Sequence, residues 1–221
     1  MPDWLGNCWY DFCYSIAWAT MTAGFNLRSE GRRHVPTSGP VLLVANHQSF
    51  FDPPCIGLST SRRLCYLARK TLFKPPLVDR FLRSLKGVPV DQEGIAAAGL
   101  KATLDQLSKG EAVLVFPEGE RSWSGAMLPF KPGISLLIKK ARPPIVPIGI
   151  AGAAKALPRG GKFPRLSPIF LPSTGSDIAV SIGKPLDGER FAAMPREVML
   201  EELFREIRKM QERAERLRRK P

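Results

Sequence analysis

The sequence predicts an α/β protein: a single domain with a largely parallel central sheet flanked by helices, plus an N-terminal membrane-associating helix. Three observations carry this expectation. Short, wholly apolar runs recur at Val41-Leu42-Leu43-Val44, Val113-Leu114-Val115-Phe116 and Ile145-Val146-Pro147-Ile148-Gly149-Ile150, the pattern of strands covered on both faces. Stretches of helical spacing lie between and after them. The chain has 221 residues, enough for one domain with a full core, and contains no internal repeat. The expected division is residues 1–27 for the aromatic N-terminal helix and 28–221 for the domain, which includes a basic C-terminal helix.

Charge narrows the function classes. Lys and Arg number 33 against 20 Asp and Glu, a formal net charge of +13. Such a balance favours polyanions: nucleic acid, an anionic membrane surface or a phosphorylated substrate. Neither a zinc-ligand cluster nor a basic stretch interleaved with base-stacking aromatics is present, so nucleic acid is set aside. Cys8, Cys13, Cys55 and Cys65 form no C-x-x-C pair, and they read as reduced thiols in a protein facing the cytoplasm.

Taken in order, residues 4–25 come first and crowd Trp4, Trp9, Tyr10, Phe12, Tyr14, Trp18 and Phe25 together. Leu5, Cys8, Phe12, Ile16, Ala19 and Ala23 share one helical face, and Asn7, Asp11, Ser15 and Thr22 another. Asp11 near the middle opposes a spanning helix and favours one lying in the membrane interface. The alternative is a helix packed on the domain's own apolar face. Residues 28–40 read as a basic connector with Arg28, Arg32 and Arg33, and His34 reads as a surface residue.

The strand over 41–44 runs into Asn46-His47-Gln48-Ser49-Phe50-Phe51-Asp52. Asp52 stands before Pro53-Pro54 and reads as the N-cap of a helix to about residue 58, since a residue before proline leaves the α region and proline suits the first helical turn. His47 falls on the strand-to-helix loop, where open α/β sheets bind ligands. If the loop turns back, the carboxylate can fix the imidazole tautomer and leave its other nitrogen as a base. From this pair alone, a plain cap beside a satisfied loop histidine stays equally open.

Leu64-Cys65-Tyr66-Leu67-Ala68 reads as the next strand. Lys70, just beyond it, is either a phosphate partner or a solvated lysine. Gly87-Val88-Pro89-Val90-Asp91-Gln92 follows. Residues 95–107 read as a helix burying Ile95, Leu100, Leu104 and Leu107, ended by Gly110. The strand over 113–116 leads into Pro117-Glu118-Gly119-Glu120-Arg121-Ser122, and Phe130-Lys131-Pro132-Gly133 opens a helix through residue 140. The 145–150 strand lines the site or is plain core. Residues 159–165 form a basic loop with one aromatic, open to contact with lipid or donor phosphates or simply solvated, residues 178–182 a last strand, and residues 196–219 a helix with Leu203, Ile207, Met210, Ala214 and Leu217 on its buried face.

Asn46-His47-x-Ser49-x-x-Asp52 and Phe116-Pro117-Glu118-Gly119-x-Arg121-Ser122, in this order on similar strand ends, resemble the glycerophospholipid acyltransferase family and its 1-acylglycerol-3-phosphate O-acyltransferase branch. The resemblance spans about residues 41–186 and extends to Lys70 and to the block ending in Gln92. It implies acyl transfer from the thioester of coenzyme A or acyl carrier protein to 1-acylglycerol-3-phosphate, giving phosphatidic acid in phospholipid biosynthesis. It implies His47 as base, Asp52 as its orienting carboxylate, and Glu118, Gly119, Arg121, Ser122, Lys70 and Gln92 around the acceptor, with Glu118 on a hydroxyl or on Arg121. Backbone N–H groups near Asn46–Ser49 or near Gly119 would hold the oxyanion. It implies no metal and no cofactor, a membrane lipid partner, and a location on the cytoplasmic face of a membrane.

Two positions depart from the family pattern. Gln92 stands where most relatives carry an arginine, and an amide cannot make the guanidinium–phosphate fork; Arg83 or Lys86 could replace the charge. Glu120 stands where threonine is usual. The alternatives to phosphatidic acid synthesis are therefore acyl transfer to a different lysolipid, a non-catalytic membrane-surface protein of the same fold, and a hydrolase that uses the His–Asp pair on water.

Overall fold

The computed structural model of the chain describes residues 3–90, 95–161 and 163–219. Its strands, β1 (Arg28–Glu30), β2 (Val41–Ala45), β3 (Leu64–Arg69), β4 (Gly87–Val90), β5 (Ala112–Val115), β6 (Ile145–Ala151) and β7 (Ala179–Ile182), form one sheet. Their order across it is β1-β7-β6-β2-β5-β3-β4. Central β2 pairs in parallel with β5 and β6, and β3 in parallel with β5 and β4. The last strand joins antiparallel to β6, while β1 lies parallel to β7. The sheet is therefore largely parallel with one reversal near an edge.

The helices are α1 (Asp3–Phe25), α2 (Asp52–Ser59), α3 (Pro76–Ser84), α4 (Ile95–Ser108), α5 (Gly133–Ala141), α6 (Ala153–Ala156), α7 (Gly188–Ala193) and α8 (Arg196–Arg218). They explain why β2 is apolar without alternation. Val41, Leu43 and Ala45 pack in one core layer with Ile56, Ile148, Ile150 and Ile182. Leu42 and Val44 pack in the opposite layer with Leu137, Ile138, Phe191, Met199 and Leu203. Successive side chains of a strand point to opposite faces, so a strand covered on both must be apolar at every position. The C-terminal helix buries Leu203, Ile207, Met210 and Ala214 as its spacing predicts.

Several local expectations are corrected. The basic connector over 28–40 contains β1, paired with β7. His34 is part-buried, with Nδ1 2.8 Å from the Ile182 carbonyl oxygen. Asp52 is not an N-cap: Phe51 occupies that position and makes no side-chain cap, while Asp52 is the first helical residue. Short helices α3, α6 and α7 carried no distinct sequence signal.

Two of the faces of α1 have different fates. Tyr10, Tyr14, Met21 and Phe25 turn inward: the Tyr14 hydroxyl donates to the Leu58 carbonyl at 2.9 Å, and Phe25 meets Phe51 edge-on at 5.0 Å. Cys8, Phe12, Ile16, Ala19 and Ala23, the face read as apolar, are exposed. Among the described residues, no helix is long and apolar enough to cross a membrane.

Where α8 crosses β6, the strand carries Gly149 and Ala151. A Cβ at Gly149 would lie 2.0 Å from the Gln211 backbone nitrogen. Gly149→Ala is expected to force the two backbones apart and to lower unfolding free energy by about 1–3 kcal/mol or more, read from urea unfolding.

Candidate functional site

The carboxyl end of β2 builds the site. Asn46 ends the strand as a fully buried side chain, donating to the Ile150 carbonyl at 3.0 Å and accepting from the Ile150 N–H at 2.8 Å. It ties β2 to β6 where ladder pairing stops, and the chain can then turn sharply over His47–Ser49. Asp52, fully buried, holds that turn. Its Oδ2 accepts from His47 Nδ1 at 2.7 Å, from Ser49 N–H at 2.7 Å, and from Gln48 N–H. Burial pushes the Asp52 carboxyl upward in pKa, opposed by the His47 hydrogen bond and charge and by the two backbone donors. The carboxylate turns back onto the preceding loop instead of capping its own helix, and this is how residues five apart meet.

A carboxylate only accepts, so Nδ1 carries the proton and Nε2 has the lone pair. Among the described residues, Nε2 has no hydrogen-bond partner. The imidazole stacks on Phe116 with ring centres 4.0 Å apart and 16° between planes. One face and one nitrogen of the ring are thus fixed, and its side chain keeps 18% exposure, a path to solvent.

The loop after β5 is joined to the His47 loop by three hydrogen bonds. Glu118 Oε1 accepts from His47 N–H at 2.7 Å, Ser122 N–H donates to the His47 carbonyl at 2.9 Å, and the Gln48 side-chain amide donates to the Gly125 carbonyl at 2.8 Å. Glu118 Oε2 accepts from Leu128 N–H at 2.8 Å. Glu118 is 1% exposed with both oxygens taken by backbone, so it clamps the loops and does not face Arg121 or the opening. Ser122 is likewise buried, its hydroxyl accepting from Gly125 N–H at 3.0 Å. Gly119 adopts φ +73°, a left-handed conformation that glycine adopts without strain.

These bonds also settle the fate of the backbone donors named for an oxyanion. The N–H groups of His47, Gln48 and Ser49 serve carboxylates, and that of Gly119 serves the Phe116 carbonyl at 3.1 Å. All four are committed within the loops.

Cations gather at the mouth. The Arg121 guanidinium lies 3.6 Å over the ring of exposed Phe50. Partial burial, then Arg159 and Arg69, pull its pKa below the ordinary arginine value. Arg159 comes from the basic loop whose sequence left phosphate contact open, and the structure sets it beside Arg121. It pairs with Glu120 at 2.9 Å, donates to the Arg121 carbonyl, and lies 4.5 Å over the Trp123 ring. The replacements expected for the missing arginine are engaged elsewhere: Arg83 with Asp79 and Lys86 with Glu111, each at 2.7 Å. Lys70 follows β3 at the same edge of the sheet and is exposed. Gln92 lies outside the described residues.

Glu118 generates a pH prediction. Burial pushes its pKa up to about 7 from 4.5, against the two backbone hydrogen bonds. Between those values the folded state holds more protons than the unfolded one, so the stability this group contributes falls as pH rises from about 4.5 to about 7. Glu118→Gln sets an amide NH2 against a backbone N–H. It is expected to cost about 1–3 kcal/mol and to flatten that stretch of the stability–pH curve, measured by urea unfolding across the range.

Comparison with known proteins follows the same ground. The model of the family described as Acyltransferase matches residues 26–151. A chloroplastic 1-acyl-sn-glycerol-3-phosphate acyltransferase of Brassica napus is 30% identical over 164 residues, 73% of this chain and 45% of that protein. The 1-acyl-sn-glycerol-3-phosphate acyltransferase of Bacillus subtilis is 23% identical over 94% of this chain and 100% of its own length. The crystal structure of the acyltransferase PlsC from Thermotoga maritima superposes with a TM-score of 0.72 at 26% identity, covering 94% of this chain and 78% of that one.

Proposed function

The chain belongs to the Acyltransferase family, and on that premise we propose that it transfers a fatty acyl group from an acyl thioester to the free hydroxyl of 1-acylglycerol-3-phosphate, giving phosphatidic acid. One observation carries the reading: a histidine whose Nδ1 is pinned by a buried carboxylate, beside an arginine stacked on Phe50, with neither Nε2 nor that guanidinium meeting a carboxylate among the described residues. The relatives' names, which specify this acceptor, support it.

In the reaction, His47 Nε2 takes the proton of the acceptor hydroxyl as its oxygen attacks the thioester carbonyl carbon. The carbon–oxygen bond forms, the tetrahedral intermediate collapses, and the carbon–sulfur bond breaks. The proton passes from the imidazolium to the departing thiolate. Asp52 stabilises that imidazolium and holds the ring in one tautomer. Asp52 is a positioning residue, and so are Glu118, Ser122 and Asn46, which never touch substrate. Arg121 receives the acceptor phosphate, with Lys70 at the same edge of the sheet; Gln92 keeps the acceptor role that the family resemblance gives it. Arg159 adds a second guanidinium and takes the part left by the absent arginine at position 92. The exposed apolar row of α1 lies in a membrane interface, where an insoluble acceptor is found.

Purified protein is offered labelled acyl-coenzyme A or acyl carrier protein with a panel of lysolipids. His47→Ala is expected to lower phosphatidic acid formation by about a hundred- to ten-thousandfold, the usual worth of a general base; equal turnover by mutant and wild type sinks the assignment. Arg159→Ala is expected to raise KM for 1-acylglycerol-3-phosphate by roughly ten- to a hundredfold, the loss of one charge-assisted phosphate contact, with a smaller change in kcat. If a lysolipid with another headgroup outcompetes 1-acylglycerol-3-phosphate in wild type, the chemistry stands and the acceptor is that lipid.

A further inference from the structure

The segment 163–172, Phe163-Pro164-Arg165-Leu166-Ser167-Pro168-Ile169-Phe170-Leu171-Pro172, follows the Arg159 loop and belongs to no regular element. Phe163 is 81% exposed and Phe170 77%, and Leu166, Ile169 and Leu171 are each more than half exposed. Five large apolar side chains in nine residues, unburied by their own domain, form a patch of the kind that marks an interaction surface.

The segment is fastened to the end of α1. Ser167 N–H donates to the Gly24 carbonyl at 2.8 Å and Ile169 N–H to the Ala23 carbonyl at 3.1 Å, using carbonyls that the helix terminus leaves open. A Cβ at Gly24 would meet Leu166 Cδ2 at 3.6 Å, so the loop also packs there. The exposed row Phe12, Ile16, Ala19, Ala23 therefore runs directly into Leu166 and Ile169. The loop also adjoins the site: Ser49 Oγ donates to the Leu157 carbonyl at 2.8 Å, and Gly160 approaches Trp123.

We propose that residues 163–171 are a second membrane-contacting element, a wedge that enters the outer layer of an anionic bilayer together with the exposed row of α1 and sets the mouth beside His47 against the lipid surface. Charge selects this occupant. Residues 157–176 contain Arg159, which pairs with Glu120, together with Lys162 and Arg165 and no acid, within a chain of net charge +13. Basic side chains flanking exposed aromatic and aliphatic ones are the composition that binds anionic headgroups while the apolar groups sink below them. Pro164, Pro168 and Pro172 lack N–H donors, and two of the remaining N–H groups are spent on α1, so few backbone donors are left to desolvate. The wedge rests on the lipid acceptor proposed above only for its purpose; binding itself is read without turnover.

The experiment is cosedimentation of the full chain with vesicles of phosphatidylcholine, with and without phosphatidylglycerol. Wild type is expected to bind the phosphatidylglycerol vesicles more tightly and to lose that preference in high salt. I169S/F170S/L171S is expected to weaken partition by at least about tenfold, since binding scales with the apolar area sunk into the interface. Phe170→Ser alone, a single exposed position, should weaken it measurably with an unchanged unfolding midpoint, which separates the wedge from a folding defect. Equal partition of wild type and both variants overturns the proposal. So does equal binding to both vesicle types, or a wild-type dimer in solution that the triple variant abolishes, which would assign the patch to a second copy of the chain. Loss of acyl transfer with normal vesicle binding would count against the proposed reaction and leave the wedge intact.

Discussion

The Asp52 carboxylate is the interaction on which the site depends. One buried oxygen accepts from an imidazole and from two consecutive backbone N–H groups. Hydrogen bonds to a charged group are worth roughly twice neutral ones, and a buried charge without partners would cost several kcal/mol. The turn over residues 47–49 is thereby held in the one shape that satisfies the carboxylate. The histidine is positioned as a by-product of solving the charge: the same oxygen that needs donors takes the third from Nδ1. This explains why the aspartate lies five residues from the histidine, at the first position of α2, where the loop must double back to reach it.

The rest of the sheet edge is arranged to keep this turn in place. Asn46 straps it to β6 from one side, and Glu118 straps it to the loop after β5 from the other. Both use side chains to satisfy backbone groups that the diverging strand ends can no longer pair, and both are buried where unsatisfied donors would be expensive. Two acidic groups close together in a low-dielectric region repel, and Asp52 adds to the upward push on the Glu118 pKa. The two backbone hydrogen bonds favour the carboxylate, while burial and Asp52 favour its protonated form, so the clamp is a balance between strong hydrogen bonds and the cost of a buried charge.

Sheet type, helix α8 and the His–Asp pairing were legible in the sequence because each leaves a pattern of its own. Apolar runs without alternation demand two covered faces, and a histidine five residues before an aspartate that leads into Pro53-Pro54 marks a loop at a strand end followed by a helix start. Strand β1 was not legible, because three residues, Arg28, Ser29 and Glu30, at the sheet's edge bury too little to require apolar side chains. The role of Glu118 was misjudged for a different reason. A charged residue inside a motif suggests contact with substrate, and only coordinates reveal that both oxygens face backbone. The basic character of the Arg159 loop was legible, but its place beside Arg121 was not, since it arrives from thirty-eight positions further along the chain. Its signal was present in Glu120: an acid standing where threonine is usual predicts a cation to match it. The row Cys8, Phe12, Ile16, Ala19 and Ala23 shares one face of α1 as its spacing predicts and is exposed, but a sequence does not reveal that the helix packs on the domain through a different face, lined by Tyr10, Tyr14 and Met21.

That Glu120–Arg159 pair bears on how the mouth handles an anion. A carboxylate at roughly 5 Å from a phosphate would repel it by about 3 kcal/mol in an effective dielectric near 20, enough to undo one good arginine contact. Arg159 removes most of that penalty by pairing with Glu120, and its own guanidinium stays near the opening because Trp123 supports it from below. The same group donates to the Arg121 carbonyl, so the two arginines are held side by side despite their mutual repulsion. Burial first, and that repulsion after it, lower the Arg121 pKa. A pair of guanidiniums kept together against repulsion gains most when an anion arrives between them, because each then relieves the other. The departure at position 120 thus reads as part of the means by which Arg159 is stationed there, and for the proposed phosphate contact the acidic residue is a support and not an obstacle.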